Sequence, residues 1–170
     1  RLSTAGAMIG VPHQGADAEF TSVGTDSRAV TPGMLFVALK GERFDGHDHV
    51  VEAIAKGAAG ALVSREFAKA NPDLPLIPVL DTREALGQLA AGWRARFAIP
   101  LLGITGSNGK TTVKEMCAAI LRRRFGDGAV LATQGNLNND IGLPLTLLKL
   151  RDGHRAAVIE MGMNHPGEIA

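Results

Sequence analysis

One cysteine in 170 residues excludes a disulfide framework within the chain. Cys117 sits among apolar neighbours and reads as a reduced core residue, so a cytoplasmic compartment is the expectation. No apolar run approaches the roughly 18–20 residues that a membrane-crossing helix needs, and the N-terminus carries no signal-peptide pattern. Stable membrane insertion is therefore not expected. An excess of one charge is also lacking: 18 Lys and Arg stand against 17 Asp and Glu, for a net charge of +1. That balance argues against a nucleic-acid-coating or polyacidic protein. Repeats and low-complexity tracts are absent too. With 45% hydrophobic and 21% charged residues the composition lies near that of globular proteins, which excludes disorder as the default. Glycine is what the chain has in excess, 21 residues where average usage of roughly 7% gives about 12. Such a number suits tight turns and close approach of backbone to ligand.

Residues 1 to 20 give weak signals. Met34 to Leu39 is a short apolar run between Pro32-Gly33 and Lys40-Gly41, the bounds of a strand. Asp48 is expected to cap a helix over 49–58, before a strand at 61–63. Residues 76–80 read as a strand that Pro78 confines to an edge or a bulge. Asp81 and Glu84 open a helix whose Leu86, Leu89, Ala90, Trp93 and Phe97 recur at helical spacing up to Pro100. An apolar strand at 101–105 then runs into a glycine-rich turn and a second helix. Val113, Met116, Cys117, Ile120 and Leu121 are expected on its buried face, and Arg122 to Arg124 at its C-terminal end, where cations suit the helix dipole. Strands at 129–132 and 156–161 flank a helix over 141–150. The alternation predicts an α/β chain with mostly parallel strands. A boundary near residues 96–100 divides it into a unit of residues 1–97 and a second unit of residues 98–170 whose sheet is still incomplete at its end. The start at Arg1 rather than Met and the stop just after a structured stretch read as a fragment.

Gly103-Ile104-Thr105-Gly106-Ser107-Asn108-Gly109-Lys110-Thr111-Thr112, between an apolar strand and an amphipathic helix, has the context of a phosphate-binding loop. Gly106 and Gly109 let backbone N–H groups turn inward, and the following helix adds its unpaired N-terminal donors and positive dipole end. Lys110 would reach the outer phosphates. The Thr111 hydroxyl would complete the coordination of Mg²⁺ bound to a nucleoside triphosphate. The strict pattern G-x-x-x-x-G-K-[ST] is missed, because its first glycine falls on Ile104. Glu160, at the C-terminal end of an apolar strand, would face the same crevice in a parallel sheet and suits a metal.

Three segments resemble the Mur ligases: T-G-S-N-G-K-T-T at 105–112, G-N-L-N-N-D-I-G-L-P-L-T-L-L at 135–148 and V-I-E-M-G-M-N-H-P-G-E-I at 158–169. T-D-S-R at 25–28 and L-F-V-A-L-K-G-E-R-F-D-G-H-D at 35–48 fit the family's N-terminal domain. The resemblance implies an ATP-dependent amide ligase of peptidoglycan precursor synthesis, acting on UDP-N-acetylmuramoyl-tripeptide and D-alanyl-D-alanine through an acyl phosphate. A sibling adding a single amino acid, or a nucleotide-binding module without chemistry, stays open as an alternative. ATP contacts are implied at Gly106, Ser107, Asn108, Gly109, Lys110, Thr111 and Thr112, with Lys110 catalytic, and Mg²⁺ at Thr111 and Glu160. Thr25, Ser27, Arg28, Glu42, Arg43 and Phe44 match positions that hold the nucleotide-sugar end. Asn138, Asn139 and Asp140 fall where relatives contact the muramoyl portion, and Asn164 and His165 follow the metal glutamate. His47 and His49 lack a metal partner at suitable spacing. The family layout has three domains, of which these residues cover the first and the opening of the second. The modified lysine, a later histidine and the C-terminal domain would follow residue 170, so residues 1–170 alone are expected to be inactive. A monomer without nucleic-acid partners is the expectation.

Overall fold

A computed structural model describes residues 1–162, which form two compact units, Arg1–Gly92 and a second from Trp93 onward. The first holds a four-stranded parallel sheet in the order β1-β2-β3-β4: β1 (Ser22–Gly24), β2 (Met34–Val37), β3 (Gly60–Ser64) and β4 (Leu76–Val79). Helices α1 (Leu2–Met8), α2 (Val50–Ala55), α3 (Arg65–Ala70) and α4 (Thr82–Arg94) surround it in sequence. Successive strand residues point to opposite faces, and Leu35, Phe36 and Val37 are all buried, so both faces of this sheet are covered. That is the environment in which parallel sheets persist. Phe36, Val50, Ala53, Ala61, Val63 and Leu76 pack as one cluster, with Ile54 and Phe67 at its margin. Pro78 does lie on the edge strand, where a missing N–H costs no ladder bond.

Several local expectations change. Asp48 caps no helix. Asp45 instead accepts from the His47 N–H and starts a 3₁₀ turn at Gly46–His49, and α2 begins only at Val50. α1, β1 and α3 form in segments that carry no legible local pattern. α3 is started by the Ser64 hydroxyl, which accepts from the Phe67 N–H at 3.3 Å.

The second unit has a three-stranded parallel sheet in the order β5-β7-β6, from β5 (Leu101–Ile104), β6 (Val130–Ala132) and β7 (Ala156–Glu160). α5 (Lys110–Phe125) connects β5 to β6, and α6 (Gly142–Leu147) precedes β7. β7 is central and buried along its whole length. Against one face, α5 packs Ala118, Cys117 and Leu121 on Ile104, Val130, Ala132 and Val158. Another cluster joins Ala157 and Ile159 to Leu150, Leu143, Leu147, Trp93 and Phe97. The buried stripe of α5 is rotated from the expected one: Lys114 and Ala118 are buried, while Val113, Met116 and Ile120 are 47, 62 and 68% exposed. No helix among them is long and apolar enough to cross a membrane.

Candidate functional site

The sequence order of β5, loop and α5 puts five residues, 105–109, between the last ladder residue and the first helical one. Two of them are glycines for a conformational reason. Gly106 has φ +143° and Gly109 has φ +74°, and a Cβ at either would meet nothing closer than 3.9 Å. The demand is therefore one of backbone conformation, which L residues other than glycine adopt only at a cost, and not one of space. Gly109 is the N-cap of α5 and supplies no side chain to its first turn, so no cap side chain takes up the first N–H groups of the helix. Lys110 folds back over this loop, its Nζ donating to the Gly106 carbonyl at 2.7 Å. Ser107, Asn108, Thr111 and Thr112 are exposed around it. The result is a glycine turn at a helix N-terminus beside a cation, the arrangement that binds phosphate.

Strand register brings the acidic group to the same place. β5 and β7 pair with Ile104 opposite Glu160, so the strand that feeds the loop and the strand that carries the carboxylate end side by side. The Thr111 hydroxyl donates to Glu160 Oε2 at 3.1 Å, and the Asn138 carboxamide donates to Oε1 at 2.8 Å. Glu160 is 2% exposed, and among the described residues no cation pairs with it. A buried carboxylate held only by a hydroxyl and an amide is costly without a counter-charge, so these hard oxygen donors suit a divalent cation.

The other expected residues of this unit divide. Asn138 faces Glu160. Asn139 is engaged locally, its Oδ1 accepting from the Gly142 N–H at 2.8 Å at the start of α6. Asp140 is exposed in the same turn, and Asn138, Asn139 and Asp140 line one small cavity with Leu143, Pro144 and Gly162. Asn164 and His165 lie outside the described residues. Sequence reading missed the partnership of Asn138 with Glu160, together with buried Lys114 and Thr133. A signal for Lys114 existed, because it shares a helical stripe with Ala118 and Leu121, where an apolar residue is expected.

In the first unit, parallel pairing of β1 with β2 sends both chain segments out at the same end of the sheet. Thr25, Ser27 and Arg28 follow β1; Glu42, Arg43 and Phe44 follow β2. Asp26 caps the short turn after β1 and takes Arg28 in a two-pronged pair, Nε to Oδ1 at 2.9 Å and Nη2 to Oδ2 at 2.8 Å. Those hydrogen bonds from Arg28 pull the Asp26 carboxyl down to about 2, and the same pair raises the guanidinium pKa. Glu42, Arg43 and Phe44 form an exposed turn closed by the Gly41 N–H donating to the Phe44 carbonyl and by a bridge between Lys40 and Asp45.

His47 ties that turn to the sheet. Its Nε2 accepts from the Ser64 N–H at 2.9 Å, which leaves the proton on Nδ1 to donate to Asp45 Oδ1 at 2.5 Å. The loop after β2 is thereby tied to the end of β3. Hydrogen bonds from His47, that of its N–H first, keep the Asp45 carboxyl below its ordinary pKa.

Two family profiles match the chain in succession. That of the Mur ligase family catalytic domain takes in residues 19–94, and that of the Mur ligase middle domain residues 104–170. The UDP-N-acetylmuramoyl-tripeptide–D-alanyl-D-alanine ligase of Escherichia coli K12 is 55% identical over 157 residues, covering 92% of this chain and 33% of that protein. The crystal structure of MurF from Acinetobacter baumannii superposes with a TM-score of 0.84 at 42% identity, over 99% of this chain and 36% of that one. MurF ligase from Thermotoga maritima, solved in complex with ADP, gives 0.76 at 34% identity, over 91% and 35% of the two chains. The chain thus spans about a third of the length of these relatives. Matched by two successive Mur ligase domains that together take in the glycine loop, Glu160 and the turns after β1 and β2, the chain belongs to the Mur ligase family.

Proposed function

We propose that this chain is the nucleotide-sugar-binding and phosphate-loop part of an ATP-dependent ligase that joins D-alanyl-D-alanine to UDP-N-acetylmuramoyl-tripeptide in cytoplasmic peptidoglycan precursor synthesis. The observation that carries the reading is the meeting of the glycine loop, Lys110, Thr111 and Glu160 at one end of a parallel sheet. The name printed for the 55% identical E. coli relative supports the choice of substrates. Residues 1–97 are assigned to the nucleotide-sugar domain and residues 98–170 to the start of the ATPase domain.

Gly106 to Thr112 would seat the triphosphate. The loop N–H groups and the Lys110 ammonium, which exchanges the Gly106 carbonyl for phosphate oxygen, would then oppose the charge on the transferring phosphoryl group. The substrate carboxylate attacks the γ-phosphorus in line, the bond to the β-phosphate oxygen breaks, and ADP leaves an acyl phosphate. The dipeptide amine then attacks the activated carbonyl, loses a proton and expels phosphate, leaving the amide. Thr111 and Glu160 would hold Mg²⁺, which when bound supplies charge neutralisation at the phosphates. Their two oxygen donors, a hydroxyl and a carboxylate, are of the hard type that such a cation takes. Ser27, Arg28, Arg43 and Phe44 offer a hydroxyl, cations and a ring face for a uridine diphosphate, with Thr25 and Glu42 beside them. Asn138, Asn139, Asp140, Asn164 and His165 are assigned to the muramoyl side.

Acceptor dependence of phosphate release tests this in the protein as it occurs, with whatever sequence flanks residues 1–170. Release that requires the UDP-linked tripeptide and D-alanyl-D-alanine is the expected result. A response to a free diamino acid with the UDP-linked dipeptide, and none to D-alanyl-D-alanine, would assign the protein to a sibling reaction.

A further inference from the structure

Behind the loop sits a buried cation that the mechanism above does not use. Lys114, one turn past Lys110 in α5, is 2% exposed; its Nζ donates to the main-chain carbonyl of Thr133 at 2.8 Å and pairs with Glu115 Oε1 at 2.8 Å. A residue needed only to fill the contact between α5 and the sheet would be apolar, as Ala118 is one turn later. Burying an ammonium carries a desolvation cost of several kcal/mol that its partners must offset.

Thr133 shows where that cost is used. β6 ends at Ala132, opposite Val158, so the ladder supplies no β6 carbonyl for the N–H of Glu160 two residues further along β7. The Thr133 hydroxyl takes that place, accepting from the Glu160 N–H at 2.9 Å. Thr133 is itself held at both backbone groups, its N–H donating to the Val158 carbonyl at 3.0 Å and its carbonyl accepting from Lys114. Thr133 and Glu160 are each 2% exposed, so the run from Lys114 through Thr133 to Glu160 lies out of water.

We propose that Lys114 and Thr133 are positioning residues: the Lys114 ammonium pins the end of β6, which aims the Thr133 hydroxyl at the Glu160 N–H and so fixes the Glu160 carboxylate beside the Thr111 hydroxyl. The proposal rests on the reading of Thr111 and Glu160 as an oxygen pair for a divalent cation. It assigns part of the metal's affinity to two residues that touch neither metal nor nucleotide.

The test is binding rather than turnover. ADP affinity is measured by isothermal titration with and without Mg²⁺, on the protein as it occurs and on Lys114→Met and Thr133→Val, which approximate the original side-chain volumes. The Mg²⁺ enhancement, the dissociation constant without Mg²⁺ divided by that with it, is expected to fall roughly 10-fold or more in both variants, as for other residues that orient metal ligands. ADP affinity without Mg²⁺ should change less than about 2-fold, a split that general destabilisation would not produce. A folded variant of either kind whose Mg²⁺ enhancement equals that of the wild type overturns the proposal. Should Lys114→Met fail to fold, Thr133→Val decides alone. A wild-type protein whose ADP affinity ignores Mg²⁺ overturns the metal reading of Thr111 and Glu160, and the proposal with it.

Discussion

Replacing Gly109 by alanine separates conformational demand from crowding at the phosphate loop. No atom lies within 4 Å of the Cβ that Gly109→Ala would introduce, so its whole cost comes from φ +74°. A left-handed residue that is not glycine costs about 1–2 kcal/mol. Gly128 is the internal control, since a Cβ there would also point into open space but the residue has no positive φ. There alanine restricts the unfolded chain and should stabilise by about 0.4–1 kcal/mol. The unfolded-chain gain is common to both variants and cancels, so they should differ by roughly 1–2 kcal/mol, although each adds one methyl group to open solvent. Urea unfolding followed by Trp93 fluorescence reads the right unit, because this ring packs against Phe97 at 5.4 Å in the second unit's cluster. Relief of the strain would also turn the Lys110 and Thr111 N–H groups, so ADP affinity should fall by about tenfold, or roughly 1.4 kcal/mol. Equal stability of Gly109→Ala and Gly128→Ala would refute the reasoning, as would a destabilised Gly109→Ala that binds ADP like the wild type.

The Asp26 carboxyl should titrate near 2 by carbon-detected NMR, and Arg28→Ala should return it toward 3.8. Because the folded value lies below the ordinary one, the stabilisation from this pair is complete above about pH 4 and lost as pH falls through about 2. A midpoint near 4 in the wild type would contradict the two-pronged pair. His47→Ala should destabilise the first unit by about 1–3 kcal/mol, since it strands the Ser64 N–H and removes a donor to Asp45. A loss under about 0.5 kcal/mol in urea unfolding would show that the loop is held by other contacts.

Legibility of the chain followed the length and regularity of its signals. β5, the glycine loop and the start of α5 could be read because an apolar run, two glycines and a lysine fall at fixed spacing. The central strands β2, β3 and β7 were equally plain as buried apolar runs. α1 and α3, of seven and six residues, are too short to show a helical period and depend on packing and on Ser64. The helix expected to start from Asp48 begins only at Val50, because a 3₁₀ turn at Gly46–His49, capped by Asp45, takes up the residues before it. Of the expected face Val113, Met116, Cys117, Ile120 and Leu121, Cys117 and Leu121 pack against the sheet and the other three are exposed, since periodicity marks an apolar side of a helix without fixing which part of it meets the sheet. At the site, Glu160 was legible as a strand-end acid. Its distance from Thr111 depends on the register of β5 with β7, which no local pattern encodes.

The amides of residues 106–112 and the Lys110 ammonium are assigned the grip on a nucleotide's phosphates. A crystal structure of the protein with Mg²⁺ and ADP decides whether they do so. The expected structure has the β-phosphate seated on the N–H groups of Asn108 to Thr112, with Lys110 Nζ moved from the Gly106 carbonyl onto phosphate oxygen. Nucleotide bound elsewhere, with Lys110 still on Gly106, would contradict it.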